Sequence, residues 1–294
     1  MKVWEALDWV TLQLKNEQVE NPRLQAELLL AHALQLTRER LYTQLQARLE
    51  GEQEGVLKRL VGRRIMGEPL QYILGRQEFW SVDLRVDPRV LIPRPETEIL
   101  VEQALLLLSQ RSPREPCFVL EIGTGSGAVA IALSKENRSL SVVATDISMG
   151  ALLVAKGNAI LAGVAAQIHF LRGDLFRPFP RREGREPFDL ILSNPPYVSR
   201  SDISGLDREV KDFEPTIALD GGVDGLDFYQ SMIPEASDFL KDGGWLLLEV
   251  GQGQAPKVGE WVSETQAFVN PESVRDLAGI ERVIKAQKRS RAEQ

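Results

Sequence analysis

The sequence predicts an α/β protein built on a mostly parallel sheet, preceded by a small helical bundle and a β-hairpin. Three observations carry this. From about residue 96, short apolar runs alternate with segments of helical period, which is the pattern of a parallel sheet covered on both faces. Residues 1–75 instead carry Leu, Gln, Arg and Glu at helical spacing with few glycines. Between them, in residues 76–95, the period shortens and Phe79, Val82, Leu84 and Val86 fit extended strands, with Asp87-Pro88 as a turn.

In the first region Asn21-Pro22 reads as a helix start, with Asn as cap and Pro at the first helical position, and Leu24, Leu28 and His32 share one stripe behind it. Thr37 is placed to cap the next helix, and Val56, Leu57, Leu60, Val61 and Ile65 mark another. No catalytic constellation stands in this region, so packing or docking of a partner is its expected role. Residues 76–95 are expected to form a hairpin linker. Residues 96–294 then read in order as helix Glu96–Leu108, strand Val119–Ile122, a Gly123–Gly127 turn and helix Ala128–Leu133. Strand Ser141–Thr145 ends at Asp146 and leads into helix Met149–Leu161; strand Ile168–Leu171 closes on Asp174, and strand Asp189–Ser193 follows. Trp245–Val250 after the turn Asp242-Gly243-Gly244, and Glu281–Ala286, read as the last strands, and the polar tail from Lys288 to Gln294 as frayed.

Composition narrows the function classes. A chain of 294 residues with 43% hydrophobic content can bury a sizeable core. No apolar stretch is long enough to span a bilayer, and Met1-Lys2-Val3-Trp4-Glu5 opens no charged-then-apolar signal segment, so a cytoplasmic protein without membrane association is expected. The single Cys117 rules out an internal disulfide framework and reads as a buried small hydrophobe; with only His32 and His169, no metal site is expected. A formal charge of −7 argues against sequence-independent binding of nucleic acid.

The chemistry is carried by two motifs. Behind the apolar run Phe188–Ser193 stands Asn194-Pro195-Pro196-Tyr197, where two prolines fix two φ angles and remove two donors. The carbonyls of Asn194 and Pro195 are then free to accept, beside the Asn amide oxygen, and Tyr197 offers a flat face, so the natural guest is a planar NH2 group. The alternative is a Pro-Pro turn that only ends a strand. Gly123, Gly125, Gly127 and Ala128 satisfy the dinucleotide fingerprint, with Asp146 near the position for a ribose-binding acid. NAD and S-adenosylmethionine both fit that pair, but hydride transfer needs an acid beside the substrate carbonyl, and neither histidine is at a strand end. Methyl transfer needs mainly alignment, because the sulfonium is already activated.

Gly123–Gly127, Asp146, Gly173-Asp174 and Asn194–Tyr197, in that order, resemble the seven-stranded S-adenosylmethionine-dependent methyltransferases of planar amino or amide nitrogens. Gly67–Gly75, Ile92–Glu98, Glu214-Pro215 and Ala218–Leu226 make the chain similar, over nearly its whole length, to the release-factor glutamine methyltransferase family. The resemblance implies a seven-stranded Rossmann-like methyltransferase domain over 96–294 and a substrate-docking helical domain over 1–75. It implies methyl transfer to the amide nitrogen, N5, of the glutamine in the Gly-Gly-Gln loop of peptide-chain release factors. A cytoplasmic monomer without direct nucleic-acid contact is expected. Gly123, Thr124, Gly125, Ser126 and Gly127 would line the methionine end of the cofactor, Asp146 the ribose, and Asp174 with Leu175 the adenine. Asn194, Pro195, Pro196 and Tyr197 would grip the glutamine amide, with Asn194, Pro195 and Tyr197 as the catalytic set and Asn194 also beside the cofactor. Two positions depart from the family: Glu121 stands where Asp is common, and Leu175 replaces an aromatic used by some members. Arg94 reads either as a brace for the cofactor carboxylate or substrate loop, or as a solvated arginine; Glu98 reads as a first-turn acid, Asp220 and Asp224 as a turn or a gate, and Glu249 as structural. A DNA adenine N6-methyltransferase, or a non-catalytic cofactor-binding protein, is the rival reading.

Overall fold

A computed structural model describes residues 1–111, 115–179 and 188–290 and divides into two units. The first comprises Met1–Arg76 together with Asp207–Phe213, the second Gln77–Leu206 with Glu214–Gln294. Residues 291–294 of the expected frayed tail lie outside the described residues.

The first unit contains α1 (Val3–Asn16), α2 (Pro22–Ala33), α3 (Arg38–Thr43), α4 (Gly51–Ile65) and α5 (Leu70–Leu74). Val3, Leu7, Val10 and Leu14 of α1 recur at helical spacing and pack on Ala26, Leu29 and Leu30 of α2 and Leu57, Leu60 and Val61 of α4. Helix α2 starts at Pro22, but Asn21 sits in the left-handed region (φ 47°) and its side chain makes no cap bond. Leu24 and His32 face outward, because the buried stripe of α2 is the one through Ala26, Leu29 and Leu30. Thr37 does cap α3, accepting from the Arg40 N–H. The Arg64 guanidinium is buried and bonds Gln25, the Glu68 carbonyl and Glu209 of the 207–213 segment.

In the second unit, β1 (Arg76–Phe79, its first residue at the boundary) and β2 (Val82–Arg85) form a hairpin. Its turn is Trp80-Ser81, both at positive φ, as a tight hairpin needs. The turn at Asp87-Pro88 lies beyond the hairpin, with the Asp87 carboxylate accepting from the Arg89 N–H. Glu98 accepts from the Trp80 N–H at 2.8 Å, so the first-turn acid of α6 (Glu98–Ser109) also closes the hairpin turn. Then follow β3 (Cys117–Ile122), α7 (Ala128–Glu136), β4 (Leu140–Asp146), α8 (Met149–Leu161), β5 (Ile168–Arg172) and β6 (Phe188–Ser193). After the short α9 (Arg200–Ile203), and past α10 (Arg208–Lys211), which belongs to the first unit, come α11 (Asp227–Phe239), β7 (Leu240–Glu249), α12 (Ala255–Glu264), β8 (Phe268–Arg275) and β9 (Glu281–Lys288).

Seven strands join in the order β5-β4-β3-β6-β7-β9-β8; the first five are parallel, and β9 runs antiparallel to both neighbours. Strand β8 was not legible from the apolar pattern, since Asn270, Glu272, Ser273 and Arg275 are exposed on a sheet edge. The Asp242–Gly244 turn is a bulge inside β7, where the register against β6 shifts between Phe188 and Leu190. The sheet core is buried on both faces, by Leu120, Ile122 and Ile191 on one and Val119, Val142 and Leu192 on the other. Because β3 is flanked by β4 and β6, which leave in opposite directions, a crevice opens at the carboxyl ends of these strands.

Candidate active site

At that crevice lies a cavity of about 300 Å³. Of the residues singled out in the sequence, Gly123, Thr124, Gly125, Ser126, Asp146, Asp174, Leu175, Asn194 and Pro196 line it; Gly127, Pro195 and Tyr197 do not. The glycine loop leaves β3 and is tied to β4: the Gly123 and Thr124 N–H groups donate to the Thr145 carbonyl at 2.9 and 2.8 Å, and Gly125 donates to Asp146 Oδ2 at 2.9 Å. Gly127 (φ 83°) begins α7 so close to α8 that a side chain would meet Ala155 and Ile131, which explains a glycine that packs behind the cavity rather than in it. Asn158 of α8 braces the loop from outside the cavity. Its Nδ2 donates to the Ser126 and Arg85 carbonyls, and its Oδ1 accepts from the Arg85 N–H, all within 2.9 Å.

Two carboxylates face the loop. Glu121 accepts from the Thr124 hydroxyl and the Ala130 N–H, yet its burial pushes its pKa up to about 8, with Asp146 adding to the rise. Asp146 is also raised, first by burial, against the pull of backbone N–H groups from Ser148, Gly125 and Ile147. Beyond β5, Leu175 holds a left-handed backbone (φ 48°), and a Cβ on Gly173 would collide with Pro178. Asp174 pairs with Arg177 at 2.9 Å.

Asn194 leaves β6 with its Nδ2 donating to Thr97 Oγ1 at 3.0 Å. Pro195 is buried, and the Tyr197 ring packs into the core beside Gly251. Burial, followed by the nearby Glu249, pushes the Tyr197 phenol up to about 12. The glycine-rich segment after Pro215 is stitched to this tetrapeptide. Val198 donates to the Leu219 carbonyl and accepts from Gly221, and Gln254 Nε2 donates to the carbonyls of Tyr197 and Gly225. A Cβ on Gly221 or Gly225 would strike the Pro196 or Tyr197 carbonyl, so this segment packs closely on the tetrapeptide. Asp220 lines the cavity and pairs with Arg200, while Asp224 caps a turn at Leu226.

Residues 5–75 match the PrmC N-terminal domain family and residues 100–207 the Methyltransferase small domain family. The chain is 44% identical over 286 residues to a release factor glutamine methyltransferase of Geobacter sulfurreducens, covering 96% of each chain. The chain belongs to the release factor glutamine methyltransferase family. A second relative of that name, from Moorella thermoacetica, is 40% identical over 98% of this chain and 99% of its own. The hMettl16 catalytic domain, solved with a MAT2A 3'UTR hairpin, shares the methyltransferase fold at 14% identity, a TM-score of 0.54, and coverage of 77% and 81%.

In this family member several cavity residues escaped the motif reading: Arg89, Val90, Leu91, Ile217 and Phe228. None stands at a strand end or in a glycine turn, so no local signal marks them. Phe228 supplies an aromatic edge to the cavity, and Tyr197 is not among its lining residues. Arg94 is no free surface arginine: it lines the cavity and pairs with the buried Glu214, which also accepts from the Ile92 N–H. Glu249, read as structural, is buried with Thr97 and Asn194 against it, and burial pushes its pKa up to about 7.

Proposed function

We propose that this methyltransferase transfers the methyl group of S-adenosylmethionine to N5 of the glutamine in the Gly-Gly-Gln motif of peptide-chain release factors, in the cytoplasm and as a monomer. The observation that carries the reading is that the Asn194 amide opens into the same cavity as the glycine loop and Asp146. The loop favours this donor over a dinucleotide. The N–H groups of Gly123, Thr124, Gly125 and Gly127 are already donated inside the protein, so the loop is not the array of free donors that a pyrophosphate needs.

In this reading Gly123–Ser126 accept the methionine portion, Asp146 the ribose hydroxyls, and Gly173–Leu175 with Phe228 the adenine. The Asp146 oxygens accept from Gly125 and Ser148, one each, with the Ile147 N–H also nearby, and a carboxylate has about four lone-pair sites from which to serve ribose hydroxyls as well. The bound donor supplies a methyl already activated on sulfur. The protein's task is the nucleophile, since an amide nitrogen is delocalised and weak. Asn194 Oδ1 and the Pro195 carbonyl would accept both N–H bonds of the glutamine, hold its nitrogen towards the methyl, and favour the more pyramidal nitrogen of the transition state. On taking up the methyl, the glutamine nitrogen would lose one N–H proton to solvent, and the donor would leave as the neutral thioether. The helical unit, residues 1–75 in the main, would dock the body of the release factor.

The test is to incubate the protein with labelled S-adenosylmethionine and either release factor or duplex DNA, mapping the product by mass spectrometry. Label on the Gly-Gly-Gln glutamine is expected; label in DNA alone overturns the assignment. For the docking role, the full-length enzyme should show a KM for whole release factor well below that for a Gly-Gly-Gln peptide, and equal values would remove it.

A further inference from the structure

We propose that Thr97 and Glu249 are positioning residues that set which way the Asn194 side-chain amide faces, turning its NH2 inward and leaving its oxygen for the substrate. This deepens the proposed reaction and rests on its assignment of Asn194.

An Asn side chain presents nearly the same shape in either orientation, but only the oxygen can accept from a substrate NH2. A flipped amide would present two donors to two donors. The protein must therefore impose one orientation, and the three side chains do so by their donor and acceptor inventories. Asn194 Nδ2 lies 3.0 Å from Thr97 Oγ1. Thr97 and Asn194 also stand beside the Glu249 carboxylate, where both favour its charged form. An ionised carboxylate only accepts, so the Thr97 hydroxyl donates to Glu249 and its lone pairs are turned to Asn194. The Asn194 group that meets them is then its NH2.

The two inner members, Thr97 and Glu249, are sealed from water. Thr97 is 4% and Glu249 2% exposed, and Glu249 Oε2 has no partner of its own. No solvent molecule can satisfy a flipped amide there, which makes the preference steep. The charged and titratable groups around Glu249 are Arg282 of β9, which favours its ionised form, Glu96, which opposes it, and the phenols of Tyr197 and Tyr229. Tyr229 donates its hydroxyl to the Glu249 backbone carbonyl at 2.8 Å and leaves the carboxylate to Thr97 and Asn194. If Glu249 takes up a proton, it becomes a donor to Thr97, the hydroxyl can turn round, and the reason for the NH2-inward orientation disappears.

Two measurements test this, one of them independent of turnover. In the folded full-length protein the side-chain NH2 resonances of Asn194, identified by their loss in Asn194→Ala, should titrate with a midpoint near 7 and should stop titrating in Glu249→Gln. Resonances that do not move in wild type, or that move unchanged in Glu249→Gln, overturn the relay whatever the enzyme's substrate proves to be. With release factor as substrate, Thr97→Val should lower kcat by up to about a hundredfold, the scale of losing a reacting group's alignment, with KM for S-adenosylmethionine little changed. Thr97→Ser should restore most of the rate, and Glu249→Gln should lose the acid limb of the kcat profile. Wild-type kcat in Thr97→Val overturns the relay and leaves the methylation itself intact; an inactive wild type whose Asn194 resonances titrate as described instead refutes the substrate assignment and supports the relay.

Discussion

Asp146 Oδ2 accepts a 2.9 Å hydrogen bond from the Gly125 N–H, so the carboxylate that ends β4 also holds the middle of the glycine loop that follows β3. The same carboxylate receives the Ser148 N–H on its other oxygen at 2.8 Å. One side chain therefore sets the loop and the entry to α8.

Asp146→Asn puts an NH2 against one of those two backbone donors and removes an acceptor from the cavity. Affinity for S-adenosylmethionine, measured by calorimetry, should fall by at least about tenfold, or about 1.4 kcal/mol. Undiminished affinity would remove Asp146 from the cofactor site.

Asn194→Ala should bind S-adenosylmethionine with near wild-type affinity and lose turnover by about 100- to 1000-fold, the usual scale for deleting one group that stabilises a transition state. Equilibrium binding and single-turnover rates separate the two. Unchanged turnover would end the amide-gripping role.

Asn158→Asp removes both donors from a buried amide, leaving the Arg85 and Ser126 carbonyls without them and adding a carboxylate. A loss of about 2–3 kcal/mol in unfolding free energy is expected, with weakened cofactor affinity because the Ser126 carbonyl is no longer anchored. Denaturant melts check the first and calorimetry the second; a variant as stable as wild type would show that the brace is not needed.

Glu121 gives a pH dependence with a definite sign. Its folded pKa, about 8, is above the ordinary 4.5, so folding favours the protonated form. The resulting stabilisation is fully present below pH 4.5 and is lost as pH rises through about 8. Glu121→Gln cannot ionise and should gain on wild type as pH increases from about 5 to 9, by at most a few kcal/mol on the order of the linked shift. Thermal melts across that range measure it, and a difference that is flat or of opposite sign contradicts the buried-acid account.

Much of the molecule was legible in the one-dimensional pattern because its cues are local. Apolar runs ending in Asp146 and Asn194, and glycines at Gly123 and Gly125, each announce a strand end or a turn from their own neighbours. Strand β8 was not, since an exposed edge lacks the apolar run that marks a buried one. Nor was the hairpin turn at Trp80-Ser81, which carries no Gly, Asn or Asp to favour its positive φ angles and is held by Glu98 from 18 positions away.

By itself, then, the sequence determined the α/β class, the glycine loop, the strand-end acid and the tetrapeptide after β6, because backbone freedom and side-chain inventory at those positions depend on residue type alone. Only the tertiary structure decided which neighbours govern them. It drew Phe228 and Ile217 into the cavity wall, took the Tyr197 ring into the core, paired Arg94 with Glu214, and brought Thr97 and Glu249 to Asn194. Those contacts join residues up to more than a hundred positions apart, and their strength comes from burial, which a local stretch of sequence does not encode.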